Sequence, residues 1–196
     1  MKVFDSLRKR HSAYDLSKIS SLSDAAVVEV VKEAVLLTPS SMNSQSQRVA
    51  ILFGDKSDAF WDLTREALKK VAPEEGFERT VEKLEKFKGQ GTILFYADTN
   101  TTKNLEESYP LYKENFATWA QQENAMLQLV VWSALAERGI GASLQHYNPV
   151  IDEDVVNTFG IDPTWKLVAQ MPFGGADFEF TPKEKLPLEK TVKVVK

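Results

Sequence analysis

The sequence predicts an α+β fold, with long helices packed on a small sheet, in a single domain over residues 1–196. Three features carry that expectation. Apolar residues recur at helical spacing in long segments. Short runs of apolar and β-branched residues lie between those segments. No internal repeat, low-complexity tract or linker divides the chain, and 196 residues suit one sizeable core.

Phe4–Lys9 reads as a short helix entering the basic run Arg8-Lys9-Arg10-His11. From Ser23 to Leu37, Val27, Val30, Val31, Ala34 and Val35 share one stripe, with Glu29, Lys32 and Glu33 opposite. Ser23 suits the N-cap and Asp24 the positive helix end, while Thr38-Pro39 stops the helix because a residue before proline avoids the helical basin. Ser40–Ser46 follows as a polar loop. Val49–Phe53 is a short strand closed by Gly54-Asp55. Asp58–Val71 and Glu74–Lys88 return to helical spacing, the second with Val81, Leu84 and Phe87 as its seam. Thr92–Ala97 is a second strand, and the polar stretch Thr99–Lys113 reads as a mobile connection. Phe116–Glu137 is a long helix, apolar nearly all round between Ala125 and Ala136, a composition that needs cover on every side. Gly139 suits its left-handed cap. Ala142–Gln145 and Lys166–Met171 are strands, with a helix over Asp152–Phe159 between them. The tail from Thr181 is rich in Lys and Pro and ends in the β-prone Thr191–Val195, expected to dock on its own sheet or on another subunit.

Lys and Arg number 24 against 28 Asp and Glu, a net charge of −4, so no electrostatic footprint for nucleic acid is present. The lack of cysteine excludes disulfides and thiolate zinc sites, and two histidines leave little for any metal, so none is predicted. The N-terminus carries no long apolar run, and the densest stretch, Ala125–Ala136, falls short of the roughly 20 residues that span a bilayer. The expectation is a cytoplasmic protein without membrane partners. No phosphate-binding Gly-x-x-x-x-Gly-Lys loop, nucleophile elbow or paired-histidine motif supports a kinase or hydrolase.

Four segments could carry chemistry. Arg8-Lys9-Arg10-His11-Ser12 offers a guanidinium fork and a hydroxyl suited to phosphate, and equally suits a solvated basic helix end. Pro39–Gln47 packs hydroxyls and carboxamides between a helix and a strand, able to read a heteroaromatic edge or simply to turn the chain. Gly139–Pro149 ends in Gln145-His146-Tyr147-Asn148, either a site at a strand exit or a helix start capped by Asn148. Met171-Pro172-Phe173-Gly174-Gly175 allows close backbone approach and precedes Lys183 and Lys185.

In this order, the four segments resemble the nitroreductase family of FMN-dependent oxidoreductases over nearly the whole chain. Arg10-His11-Ser12 looks like that family's N-terminal phosphate motif, and Pro39-Ser40-Ser41-x-Asn43-x-Gln45 like its second flavin-binding motif. The long helix before Gly-Ile-Gly, the Pro-Phe-Gly turn and the basic C-terminal residues also fit. Gln45-Ser46-Gln47-Arg48 and Gln145-His146-Tyr147-Asn148-Pro149 resemble the subgroup related to the fungal fatty-acid-repression protein and its bacterial relatives.

The resemblance implies a three-layer fold with a small mixed or antiparallel sheet, an intertwined homodimer, and FMN at its interface. Arg10, Ser12, Lys183 and Lys185 would neutralise the phosphate, with His11 beside it. Asn43 and Gln45 would pair with the polar edge of the ring, Ser40 and Ser41 with the ribityl or ring oxygens, and backbone amides around Gln145, His146, Tyr147 and Asn148 would cover the other ring face or donate near N5. His146 or Tyr147 would either donate a proton to the acceptor or only pack and orient. The implied reaction is ping-pong, with NAD(P)H as co-substrate and a small nitroaromatic or quinone as electron acceptor. The alternative is a flavin-binding sensor or regulatory protein with little turnover.

Overall fold

Four strands, β1 (Gln47–Phe53), β2 (Gly91–Asp98), β3 (Gly141–Ala142) and β4 (Trp165–Gly174), form one sheet in the order β1-β2-β4-β3, every neighbouring pair antiparallel. The computed structural model describes residues 2–19, 22–176 and 183–196. Helices α2 (Asp24–Leu37) and α6 (Lys113–Glu137) cover one face of the sheet, and α3 (Asp55–Lys69), α4 (Phe77–Glu85) and α7 (Asp152–Phe159) the other. The short α1 (Lys2–Lys9) packs on α6.

The layering follows from the strand period of two. On β2, Ile93 and Phe95 join Val27, Val31, Leu127, Val131 and Leu135 in the first core, while Leu94 and Tyr96 join Phe60, Trp61, Leu84 and Val155 in the second. With both faces covered, all of β2 is buried, which is why it reads as an unbroken apolar run rather than an alternation. The α2 stripe is buried through Val27, Val30, Val31 and Ala34, and Ser23 caps it by accepting from the Ala26 amide at 3.3 Å. Gly139 takes the left-handed conformation after α6, with φ 70°.

Three segments differ from the sequence expectation. Thr99–Lys113 is ordered as α5 (Thr99–Ser108), a 3₁₀ turn at Pro110–Tyr112 and the start of α6. Its helix begins because Asp98 accepts from the Asn100 amide (2.9 Å) and the Thr101 hydroxyl (3.0 Å), a cap that a polar surface helix needs more than an apolar period. The third strand shrinks to Gly141–Ala142; beyond it the Ser143 amide donates to the Pro172 carbonyl at 3.3 Å, and Gln145 and Gln170 exchange backbone bonds of 2.8 and 2.9 Å. Helix α7 starts at Asp152 behind Ile151, so Asn148 is not its cap.

Helix α6 buries Leu127, Val131 and Leu135 but leaves Met126, Leu129 and Val130 exposed at 43%, 45% and 39%. The tail from Lys183 to Lys196 is exposed throughout and is not paired with this chain's own sheet. No helix among the described residues is long and apolar enough to cross a membrane.

Candidate functional site

Three of the four chemistry-bearing segments meet at one end of the sheet. Residues 10–17 leave α1 and run across β3 and the end of β4: Ser12 bridges Ala142 in parallel, the Ala13 amide donates to the Ala142 carbonyl (2.9 Å), and Ser17 and Gly175 exchange bonds of 2.8 and 2.9 Å. Glycine permits this approach. A Cβ on Gly141 would stand 2.5 Å from that of Ala176, and one on Gly174 would collide with the Ser17 carbonyl. The Arg10 guanidinium lies 4.2 Å over the Trp132 ring of α6, and Lys9 Nζ pairs with Glu137 at 2.7 Å, so the end of α1 is fixed against the end of α6. Arg10 and His11 are half-buried and Ser12 is exposed, beside a cavity of about 680 Å³ lined by Ser12, Tyr14, Ser17 and Gly175.

The fourth segment, the 39–47 loop, sits on a different stretch of α6. Glu123, 3% exposed, accepts from the Ser41 amide (2.5 Å) and from the hydroxyls of Ser44 (3.1 Å) and Ser46 (3.0 Å). Ser40 Oγ accepts from the Gln45 amide at 2.9 Å. Within this loop Met42, Asn43 and Gln45 adopt φ of 54°, 52° and 50°, a left-handed conformation that costs a non-glycine residue about 1–2 kcal/mol. From the other side, Arg48 donates to the Gln45 carbonyl (2.6 Å) and to Asp98 (2.6 Å), tying the loop to the start of α5. The Asn43 and Gln45 side chains are exposed.

The 145–148 segment diverges. Gln145 is buried, its side chain donating to Ser143 Oγ at 3.1 Å, while His146 is exposed. The Tyr147 ring turns to the second core, 6.0 Å from Trp61 edge-on, and burial pushes its hydroxyl pKa up to about 12. The fully buried Gln170 holds the segment: its Oε1 accepts from the Tyr147 amide (2.8 Å) and its Nε2 donates to Asn148 Oδ1 (3.1 Å). Gln170→Leu leaves both partners unsatisfied, and an expected loss of about 1–3 kcal/mol is read from urea unfolding. Lys183 and Lys185 lie in the exposed tail beyond residues 177–182, which are outside the described residues.

Glu123, Arg48 and Gln170 escaped the sequence reading as site residues. The available signal was a carboxylate on the covered face of a largely apolar helix, and an amide inside an apolar strand. Among the described residues, no group of three or more His, Asp or Glu side chains could hold a metal ion.

Residues 7–175 match the Nitroreductase family. HBN1 of Saccharomyces cerevisiae is 30% identical over 148 residues, 76% of this chain and 73% of its own. The nitroreductase CinD of Lactococcus lactis, solved with chloramphenicol, is 37% identical over 99% of this chain and 100% of its own, with a TM-score of 0.90; a further CinD structure contains 4-nitrophenol. A Desulfovibrio desulfuricans structure containing FMN shares the fold at 17% identity and a TM-score of 0.72, over 100% of this chain and 98% of its own. Sequence and architecture agree over most of the chain, and it belongs to the nitroreductase family of oxidoreductases.

Proposed function

We propose that this protein is an FMN-dependent oxidoreductase that uses NAD(P)H to reduce nitroaromatic or quinone-type acceptors by a ping-pong mechanism, and that it acts as a homodimer. The observation that carries the reading is the chemistry of two donor sets placed along α6. Arg10, stacked on Trp132, precedes the exposed Ser12 by two residues, a fork and a neutral donor suited to a phosphate dianion. The 39–47 loop presents the carboxamides of Asn43 and Gln45, matched to the alternating donors and acceptors of a flavin edge. These residues fit FMN. Arg10, Ser12, Asn43 and Gln45 would hold FMN, which would supply two-electron hydride chemistry between NAD(P)H and the acceptor.

The chain's own residues bind and orient. Arg10 and Ser12 hold the phosphate, with Lys183 and Lys185 adding charge from the tail and His11 packing beside it. Ser40 and Ser41 serve the ribityl or ring oxygens, and Gln145 and His146 border the other ring face. The nitroaromatics bound by CinD support the acceptor class. Tyr147 is half-buried with its ring against Trp61, and burial pushes its hydroxyl pKa up to about 12, which supports a packing role, so Tyr147→Phe is expected to keep kcat within about twofold. A tenfold loss, with NAD(P)H oxidation measured apart from acceptor turnover, would instead make that hydroxyl, rather than His146 or solvent, the proton donor.

Homodimerisation is supported by the exposed stripe Met126, Leu129 and Val130, whose i, i+4 and i, i+3 spacing suits an isologous contact with the same helix of a second copy. Glu123 and Trp132 are about 13 Å apart along α6, so a dimer can offer one ligand the phosphate set of one copy and the loop of the other. The tail also suits a partner. Its exposed Val192, Val194 and Val195 match an apolar groove of about 540 Å³ between α2 and the sheet's outer strand β1, lined by Val28, Val35, Val49 and Ile51.

The test is the absorption spectrum of the purified protein, mass identification of the released chromophore, and sedimentation. A yellow dimer releasing FMN and oxidising NADH or NADPH faster with a quinone present is expected. A colourless protein that takes up no riboflavin 5′-phosphate overturns the proposal. A yellow protein indifferent to acceptors turns it into a flavin-binding sensor.

A further inference from the structure

We infer that Glu123 is the positioning residue of the flavin loop: a buried carboxylate that selects the left-handed backbone in which Asn43 and Gln45 face outward. The inference rests on the flavin reading proposed above and names how the second donor set is held.

Met42, Asn43 and Gln45 all have positive φ; asparagine takes that conformation comparatively readily, but Met42 and Gln45 do not, so at those two positions the intrinsic preference is for other conformations. A shape that is locally unfavourable persists only where surrounding contacts over-determine it. Glu123 supplies the largest share of those contacts. It brackets the strained residues, gripping Ser41 before them and Ser44 and Ser46 among and after them. An ionised carboxylate is acceptor-only, with room for several donors, and bonds to it are about twice as strong as neutral ones. Here one oxygen takes a backbone amide and the other takes two hydroxyls, so both oxygens of the buried carboxyl group have partners. Ser40 and Arg48 hold only the Gln45 end of the same loop, through its amide and its carbonyl. Glu123 itself is fixed by its helix, one residue before Asn124, whose Nδ2 donates to the Tyr96 carbonyl of β2 at 2.9 Å. Through Glu123, α6 thus holds the loop at Ser41, Ser44 and Ser46, while the sheet holds its far end through Arg48 and the Asp98 amide, which donates to the Ser46 carbonyl at 2.9 Å.

This arrangement predicts that the loop is preorganised before any ligand arrives, and that loosening it weakens flavin recognition more than it weakens the fold. The experiment uses the full chain with Glu123→Gln, Glu123→Ala and the double variant Ser44→Ala/Ser46→Ala. In the flavin-free protein, hydrogen exchange at the Ser41 and Gln45 amides is slow in the parent and faster in Glu123→Ala. FMN titration by fluorescence quenching then gives a dissociation constant raised about tenfold or more in Glu123→Ala and less in Glu123→Gln, which retains one acceptor oxygen. The absorption bands of the bound flavin shift in the same order, because Asn43 and Gln45 no longer meet the ring squarely. If Glu123→Ala does not fold, the double serine variant, which leaves the carboxylate its Ser41 amide, reports the same shifts in smaller measure. Parent-like exchange, affinity and bands in the Glu123→Gln and serine variants overturn the inference. Failure of the parent itself to bind FMN overturns the functional reading instead.

Discussion

Arg10→Ala is expected to weaken FMN binding about 100-fold, the largest single effect in the proposed site. A hydrogen bond to a charged group is worth about 1.5–3 kcal/mol, and the guanidinium offers a phosphate two at once in a fixed fork. Preorganisation adds to this. The guanidinium lies 4.2 Å over Trp132, so it loses little freedom when it takes a ligand, and alanine removes that stack along with the charge. Arg10→Lys keeps the charge but loses both fork and stack, and is expected to fall between, at about tenfold. Titration of flavin-free protein with FMN measures both, and titration with riboflavin, which lacks the phosphate, isolates the cause. Parent and Arg10→Ala should bind riboflavin alike. If Arg10→Ala binds FMN as the parent does, the phosphate is held elsewhere. If it loses riboflavin as severely as FMN, Arg10 acts on the fold of the 10–17 segment rather than on the phosphate.

How far the sequence exposed this design depends on whether a residue's partner is local. The α2 helix was readable because its causes lie within a few residues: the Val27, Val30, Val31, Ala34 stripe, the Ser23 cap and the Thr38-Pro39 stop. The all-round apolarity of α6 was readable too, although only the structure shows that Met126, Leu129 and Val130 form the uncovered side. Helix α5 was missed because Thr99–Ser108 buries no residue and so has no apolar period; its cause is the Asp98 cap. The 39–47 loop was legible as polar, whereas its left-handed backbone was not. No glycine announces it, and the side chain that imposes it stands some 80 residues away on α6. Tyr147 shows the same limit. Adjacent to the exposed His146 in sequence, it turns to the opposite environment because its ring packs on the second core at Trp61, a partner far away along the chain.

Trp61→Ala is expected to have the largest effect on stability, about 3–5 kcal/mol, the range for truncating a fully buried large aromatic. Trp61 has no exposed surface and stands at the centre of the second core. Its ring meets Phe60 edge-on at 4.9 Å, Phe87 at 4.9 Å and Tyr147 at 6.0 Å, so alanine leaves a cavity bordered by three rings. Its Nε1 donates to Thr92 Oγ1 at 2.9 Å, joining α3 to the central strand β2; the Thr92 hydroxyl keeps Ser57 at 2.8 Å, so the loss is chiefly one of packing. Trp61→Phe refills most of the volume without the donor and should cost about 1–2 kcal/mol. For a chain of this size, Trp61→Ala corresponds to a Tm lower by about 10 °C or more, read by circular dichroism at one protein concentration for both variants, since dissociation of the proposed dimer would also move the transition. The consequence reaches the site through Tyr147, whose ring leans on Trp61 and whose amide is held by Gln170. A loss below about 1.5 kcal/mol would mean that the cluster collapses around the missing ring, and that the second core does not depend on α3 in the way its packing indicates.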